Sequence, residues 1–133
     1  MSGNEVTQLT AIVDHSVTIS CYNFTPSDPP ARVHWSSDAH RKTHDTLYIF
    51  QSDNNPDFNV DDRHPNAENY VVDRQYRLTI TKVGSQDPGE YICHIKTRTG
   101  EERNHKYKLS IGGMRCLCII ILVVVVIIIF QSM

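Results

Sequence analysis

The chain has 133 residues, with 13 Lys+Arg against 15 Asp+Glu and a formal net charge of −2. That length holds one domain of ordinary size, and the balance of charge leaves no basic footprint for nucleic acid. The last twenty residues, 114–133, carry a single charged side chain, Arg115, and so apolar a terminus argues against a cytosolic enzyme.

The opening residues Met1-Ser2-Gly3-Asn4-Glu5 have neither a basic leader nor an apolar core, so no secretory signal is visible. The expectation is that a leader is missing from this chain. From residue 17 onward the sequence alternates with period two, the signature of half-buried strands. Val17, Ile19 and Cys21 share one face, with Thr18 and Ser20 opposite; Val33 and Trp35 repeat the pattern, with His34 and Ser36 opposite. Further on, Tyr76, Leu78 and Ile80 form a third such set, and Tyr91, Cys93 and Ile95 a fourth. A last strand places Tyr107, Leu109 and Ile111 inward and Lys106, Lys108 and Ser110 outward. Turn-forming clusters separate these runs at 25–30, 52–56 and 98–101. No stretch before the tail keeps a helical period, so the reading is an all-β antiparallel sandwich or barrel.

The tail comes last. Leu117 to Phe130 is a run of fourteen Ile, Val, Leu, Cys or Phe residues. The eighteen residues 116–133 reach about 27 Å as a helix, short of a typical span but feasible. A transmembrane helix is therefore predicted over 116–133, with Gly112 to Arg115 as a juxtamembrane linker. Only Gln131-Ser132-Met133 follow, so essentially no cytoplasmic tail is expected. Ser110, Gly112 and Gly113 before a terminal apolar segment partly match a glycolipid-anchor signal, the alternative attachment, although the polar spacer is too short. Arg115 on the near side runs against the positive-inside tendency for an outside N-terminus. Cys116 and Cys118 are read as small apolar residues of the span.

Chemistry is mostly absent. Seven histidines raise the question of a metal, but His40 and His44 sit in a polar connection with nothing to fix both rings, and are read as exposed loop residues. Asp53-Asn54-Asn55-Pro56-Asp57 begins like a calcium loop, yet Phe58 stands where glycine is needed and His64 where a bidentate glutamate belongs. No nucleophile elbow or phosphate loop occurs. No catalytic residue, metal or cofactor is assigned.

Cys21, then Trp35 fourteen residues on, then Asp87-Pro88-Gly89-Glu90-Tyr91-Ile92-Cys93 after Leu78-Thr79-Ile80, resemble the immunoglobulin superfamily, variable type, over about residues 5–111. The seventy-one residues between the cysteines leave room for extra central strands. The resemblance implies a Cys21–Cys93 bridge between two sheets, with Trp35 and Leu78 in the core. It also implies a Tyr91 hydroxyl bonded back to nearby backbone, and an Asp87 paired with an arginine, Arg63 by spacing or Arg74 as its rival. Such a bridge belongs in an oxidising compartment, in agreement with Asn23-Phe24-Thr25, the one N-x-S/T acceptor. Asn23 is accordingly a glycosylation candidate. The strand at 105–111 lacks the glycine-rich bulge of antigen-receptor variable domains, so a rearranged receptor is not expected.

In that fold the third, sixth and seventh core strands and the extra central strand (C, F, G and C′) share an outward face. Alternation, taking Ile49 as inward, assigns to it His34, Tyr48, Phe50, His94, Lys96, Lys106 and Lys108. Tyr48 and Phe50 are expected at the centre of a protein-binding surface, with the lysines peripheral. His34 and His94 are expected to lie close across the sheet, and their joint protonation near pH 6 to weaken partner binding. The function read from the sequence is a membrane-anchored cell-surface recognition module of the immune co-signalling or adhesion type, in which a viral mimic would look the same. Its partner would be a protein on the same or an opposing membrane, or a second copy. The alternatives are an auxiliary subunit of a channel or receptor complex and a homophilic adhesion protein.

Overall fold

The computed structural model describes residues 6–40, 45–51, 57–112 and 114–132, with the side chains of the terminal helix described from Val123 onward. His44, residues 53–56 of the loop weighed for calcium, and the side chains of Cys116 and Cys118 lie outside the described residues.

Eight strands form among the described residues: β1 (Val6–Ala11), β2 (Val17–Ile19), β3 (Pro30–Ser37), β4 (Asp45–Gln51), β5 (Tyr70–Val72), β6 (Leu78–Ile80), β7 (Gly89–Thr97) and β8 (Glu102–Ile111). They build a five-stranded sheet in the order β1-β8-β7-β3-β4 and a three-stranded sheet in the order β2-β6-β5. Every pairing is antiparallel except β1 with β8. One strand beyond the core set, β4, forms between the cysteines.

The period-two runs become the inner faces. Val33, Trp35, Tyr91, Ile95 and Leu109 of the larger sheet and Ile19, Leu78 and Ile80 of the smaller are at most 2 % exposed. The two layers are joined by the Cys21–Cys93 disulfide, with Cα atoms 5.7 Å apart. Trp35 stands directly opposite Cys93 in the β3–β7 register, and its indole N–H donates to the Tyr76 carbonyl at 2.9 Å. A buried indole without an acceptor would cost about 1–3 kcal/mol. Tyr76 supplies that acceptor from a left-handed backbone (φ 61°), a conformation uncommon for a bulky residue. It is held there by ring contacts with Phe24, Phe50 and Phe58 at centroid distances of 5.3–5.6 Å.

The segment before β7 is fixed by its own hydrogen bonds. The Tyr91 hydroxyl donates to the Asp87 carbonyl at 2.7 Å, and burial pushes that phenol's pKa up. Gly89 has φ 153°, and a Cβ there would stand 2.8 Å from Asp38 Oδ1 and 2.9 Å from Ala39 Cα. Asp38 Oδ1 is itself the acceptor of the Glu90 N–H at 2.8 Å, so the carboxylate cannot retreat freely. Gly89→Ala is expected to cost at least about 2 kcal/mol, combining backbone strain with the clash. Chemical denaturation of the two proteins side by side measures it, and unchanged midpoints would refute this account of the glycine.

A helix, α1 (Met114–Ser132), ends the chain. It starts at Met114, so two of the four residues expected as linker are helical. The transmembrane span expected over 116–133 is not met by what is described: among the described residues no helix is long and apolar enough to cross a membrane.

Candidate partner-binding face

Register decides what the large sheet shows to solvent. Along β7, Tyr91, Cys93, Ile95 and Thr97 are buried, which turns Glu90, Ile92, His94 and Lys96 outward. Directly opposite these stand Lys108, Lys106, Asn104 and Glu102 of β8. On the other side Ser36, His34 and Arg32 of β3 face Ile92, His94 and Lys96. His34 and His94 are therefore immediate cross-strand neighbours.

The next strand departs from the simple alternation. Trp35 pairs with Tyr48 and Ser36 with Thr46, so the register slips and Leu47 has no partner on β3. This is a β-bulge: two residues on one strand oppose one on the other, and the parity of all that follows is reversed. Leu47 and Tyr48 both point inward, at 0 % and 1 % exposure, and Phe50 follows at 8 %, while Ile49 is 47 % exposed. Tyr48 and Phe50 are thus core residues, and their assignment to the docking face is corrected. The Tyr48 hydroxyl donates to the Asp57 carbonyl at 2.6 Å, and burial raises its pKa. Ile49, opposite His34, takes the place on the outward face that sequence parity had denied it. A bulge leaves no composition signal; the only hint was four consecutive apolar residues, Leu47 to Phe50, too many for a half-exposed strand of strict alternation.

His34 Nε2 lies 2.9 Å from the Thr46 hydroxyl. Desolvation, then the positive charge of Arg32, then His94, hold its pKa below the ordinary histidine value. His94 Nε2 stands 3.9 Å from a Glu102 carboxylate oxygen. A depressed folded-state pKa means that, below about 6.5, the unfolded chain takes up a proton that the folded chain refuses. His34 therefore contributes stability that is fully present above about pH 6.5 and lost as the pH falls toward its folded-state pKa. The unfolding free energy is expected to drop between pH 7.5 and 5.5, and to drop less in His34→Gln. An identical pH slope in both proteins would refute it.

At one end of the sandwich the structure replaces a second expectation. Asp87 is 2 % exposed, but neither arginine reaches it. Arg63 is bound to the neighbouring Asp61 at 2.9 and 3.1 Å, and the Arg74 guanidinium lies 5.8 Å from the Phe58 ring centroid. Instead Asp87 Oδ1 meets His40 Nε2 at 2.9 Å, while Oδ2 accepts the Gly84 N–H at 2.6 Å. His40 was read as an exposed loop histidine; its side chain is 6 % exposed and also contacts the Tyr70 hydroxyl at 3.1 Å and the Asn66 side-chain amide. The cause is the tie between residues 37–38 and Glu90, made by Ser37 Oγ and by the Asp38 backbone and side chain. It delivers the next residues onto Asp87. Burial pushes the Tyr70 phenol up to about 12.

Lys96 and Lys108 are exposed and Lys106 half-buried on the outward face. Asn23 is exposed beside the Thr25–Asp28 turn, with the Thr25 hydroxyl 3.1 Å from that of Ser27. Among the described residues no group of three or more His, Cys, Asp or Glu side chains is arranged to hold a metal ion.

No curated protein matches the chain. Two solved structures are similar in fold. The first Ig-like domain of the human CD48 antigen superposes with a TM-score of 0.60 at 21 % identity, covering 84 % of this chain and 87 % of that domain. Murine CRIg does so with a TM-score of 0.61 at 16 % identity, covering 80 % and 92 %. At those identities the likeness speaks for the fold alone. The model of the immunoglobulin V-set domain matches residues 4–111, so with its two bridged sheets and its extra strand β4 this chain belongs to the immunoglobulin V-set family.

Proposed function

We propose that this chain is a recognition module that binds another protein through the outward face of β3, β4, β7 and β8. The V-set fold is typical of cell-surface recognition modules, CD48 and CRIg among them, and the family is typically non-enzymatic. The observation that carries the choice of face is Ile49. It is a large apolar side chain 47 % exposed on β4, the edge strand of the larger sheet, directly opposite His34, with His94 and Ile92 on the next strand but one. Apolar and aromatic residues ringed by charge make the usual centre and rim of a protein interface.

Membrane attachment belongs to the same reading, and its support is the sequence: the fourteen apolar residues 117–130 fall inside the helix α1. A cell-surface ligand or receptor, host or viral, acting on a partner in the same or an opposing membrane fits these features. Asn23, exposed in its acceptor triplet, is the glycan site in this reading.

The test is Ile49→Asp in the full chain. An exposed position should change stability by no more than about 0.5 kcal/mol, whereas saturable binding to partner-bearing cells should fall at least tenfold. Val71→Asp, at an equally exposed position of the smaller sheet (50 % exposed), should leave binding intact. Equal loss from both substitutions, or none from Ile49→Asp, would refute the choice of face.

A further inference from the structure

The face that carries Ile49 is charged differently from the chain as a whole, and this bears on what can dock there. The chain has a formal net charge of −2. By register, the outward side of β3, β7 and β8 holds four cations, Arg32, Lys96, Lys106 and Lys108, against two carboxylates, Glu90 and Glu102. Both carboxylates stand directly opposite a lysine: Glu90 faces Lys108 and Glu102 faces Lys96. The positive surplus therefore resides in Arg32 and Lys106. Arg32 is two residues from His34 on the same side of β3, and Lys106 lies opposite Ile92. Arg32 thus lies on β3, one strand from Ile49, and Lys106 stands beside Ile92 on the far side of β7.

Resting on the reading of this face as the docking surface, we infer that its partner is a protein presenting carboxylate side chains around an apolar contact. A surface that buries a net positive patch without opposing charge leaves that charge desolvated and unpaired, which disfavours association. A carboxylate-bearing partner supplies the compensation and also speeds encounter. The other polyanions, sulfated polysaccharide and phosphate, are less well matched. They are bound by clusters of cations, whereas here glutamates are interleaved with the lysines and Ile49 and Ile92 share the face, features that reward a partner with its own apolar side chain.

The probe is a phage-displayed library of disulfide-cyclised twelve-residue random peptides, selected on the full chain in detergent micelles. Ile49→Asp, Lys106→Glu/Lys108→Glu and Lys96→Glu serve as counter-targets, each checked for a wild-type unfolding transition. Peptides that bind wild type and lose at least tenfold on Ile49→Asp are expected to be net acidic with a large apolar residue. They should weaken at least fivefold on either lysine reversal and in raised salt. If the Ile49-dependent peptides are neutral or basic, or indifferent to both reversals, the face stands as a docking surface and the acidic partner is overturned. If nothing enriched depends on Ile49, or nothing is enriched, the face itself is wrong and the inference falls with it. Heparin that binds tightly, is lost on the reversals and ignores Ile49→Asp would overturn it in favour of a polysaccharide.

Discussion

Removal of the inter-sheet bridge by Cys21→Ala with Cys93→Ala is expected to lower the unfolding free energy by about 4 kcal/mol. The bridge closes a loop with a sequence separation of 72 residues, and the chain-entropy account gives that order of magnitude for a loop of this size. A domain of ordinary stability has about 5–15 kcal/mol in all, so the double variant should be marginal at 37 °C. That figure covers loop closure alone; Cys21 and Cys93 are 3 % and 0 % exposed, so the void that alanine leaves beside Trp35 adds to it. Urea titration followed by the fluorescence of Trp35, the one tryptophan, measures the loss. A change below about 1 kcal/mol would show that the two layers hold together without their covalent link.

Tyr48→Ala with Phe50→Ala should be about as damaging, and for a reason opposite to the one the sequence suggests. Were these rings on the docking face, the pair would remove binding and spare the fold. The structure has both rings in the core, each against Tyr76 at centroid distances of 6.5 and 5.3 Å. Truncating a buried aromatic to alanine costs about 3–5 kcal/mol. The two losses share a neighbour and will not simply add, but either sum consumes most of the stability. Tyr48→Phe separates packing from polarity: it keeps the ring and gives up only the bond to the Asp57 carbonyl, about 1 kcal/mol. A double alanine variant that melts with wild type would return both rings to the surface and reinstate the simple alternation.

That reversal shows where the sequence stops being sufficient. Cys21, Trp35, Leu78, Tyr91 and Cys93 could be placed inward because each lies in a regular run with period two, and their roles as bridge, core and tyrosine corner were what the resemblance to the immunoglobulin superfamily implied. His34, His94, Lys96, Lys106 and Lys108 were placed outward by the same rule and are found there, since β3, β7 and β8 hold their parity at these residues. In β4 the rule fails at one residue. Leu47 is extra, and every side chain after it turns to the other face. An aromatic or aliphatic residue satisfies either side of such a strand as far as composition is concerned, so nothing local distinguishes the two.

The partner of Asp87 was hidden for a related reason. An arginine and a histidine both satisfy a buried carboxylate, and sequence distance does not say which will arrive. Ser37 and Asp38, bonded to Glu90, bring His40 in, while Arg63 is already taken by Asp61.

The chain's own order of residues thus determined an all-β sandwich and the outward direction of its two histidines, because periodicity is a property of the one-dimensional pattern, while its bridge and buried tryptophan were what the resemblance to the immunoglobulin superfamily implied. Which hydrophobic residue of β4 meets solvent, and which cation or ring meets Asp87, were settled only when strands paired and loops closed. Register and contact are relations between distant segments, and a single extra residue suffices to reverse them.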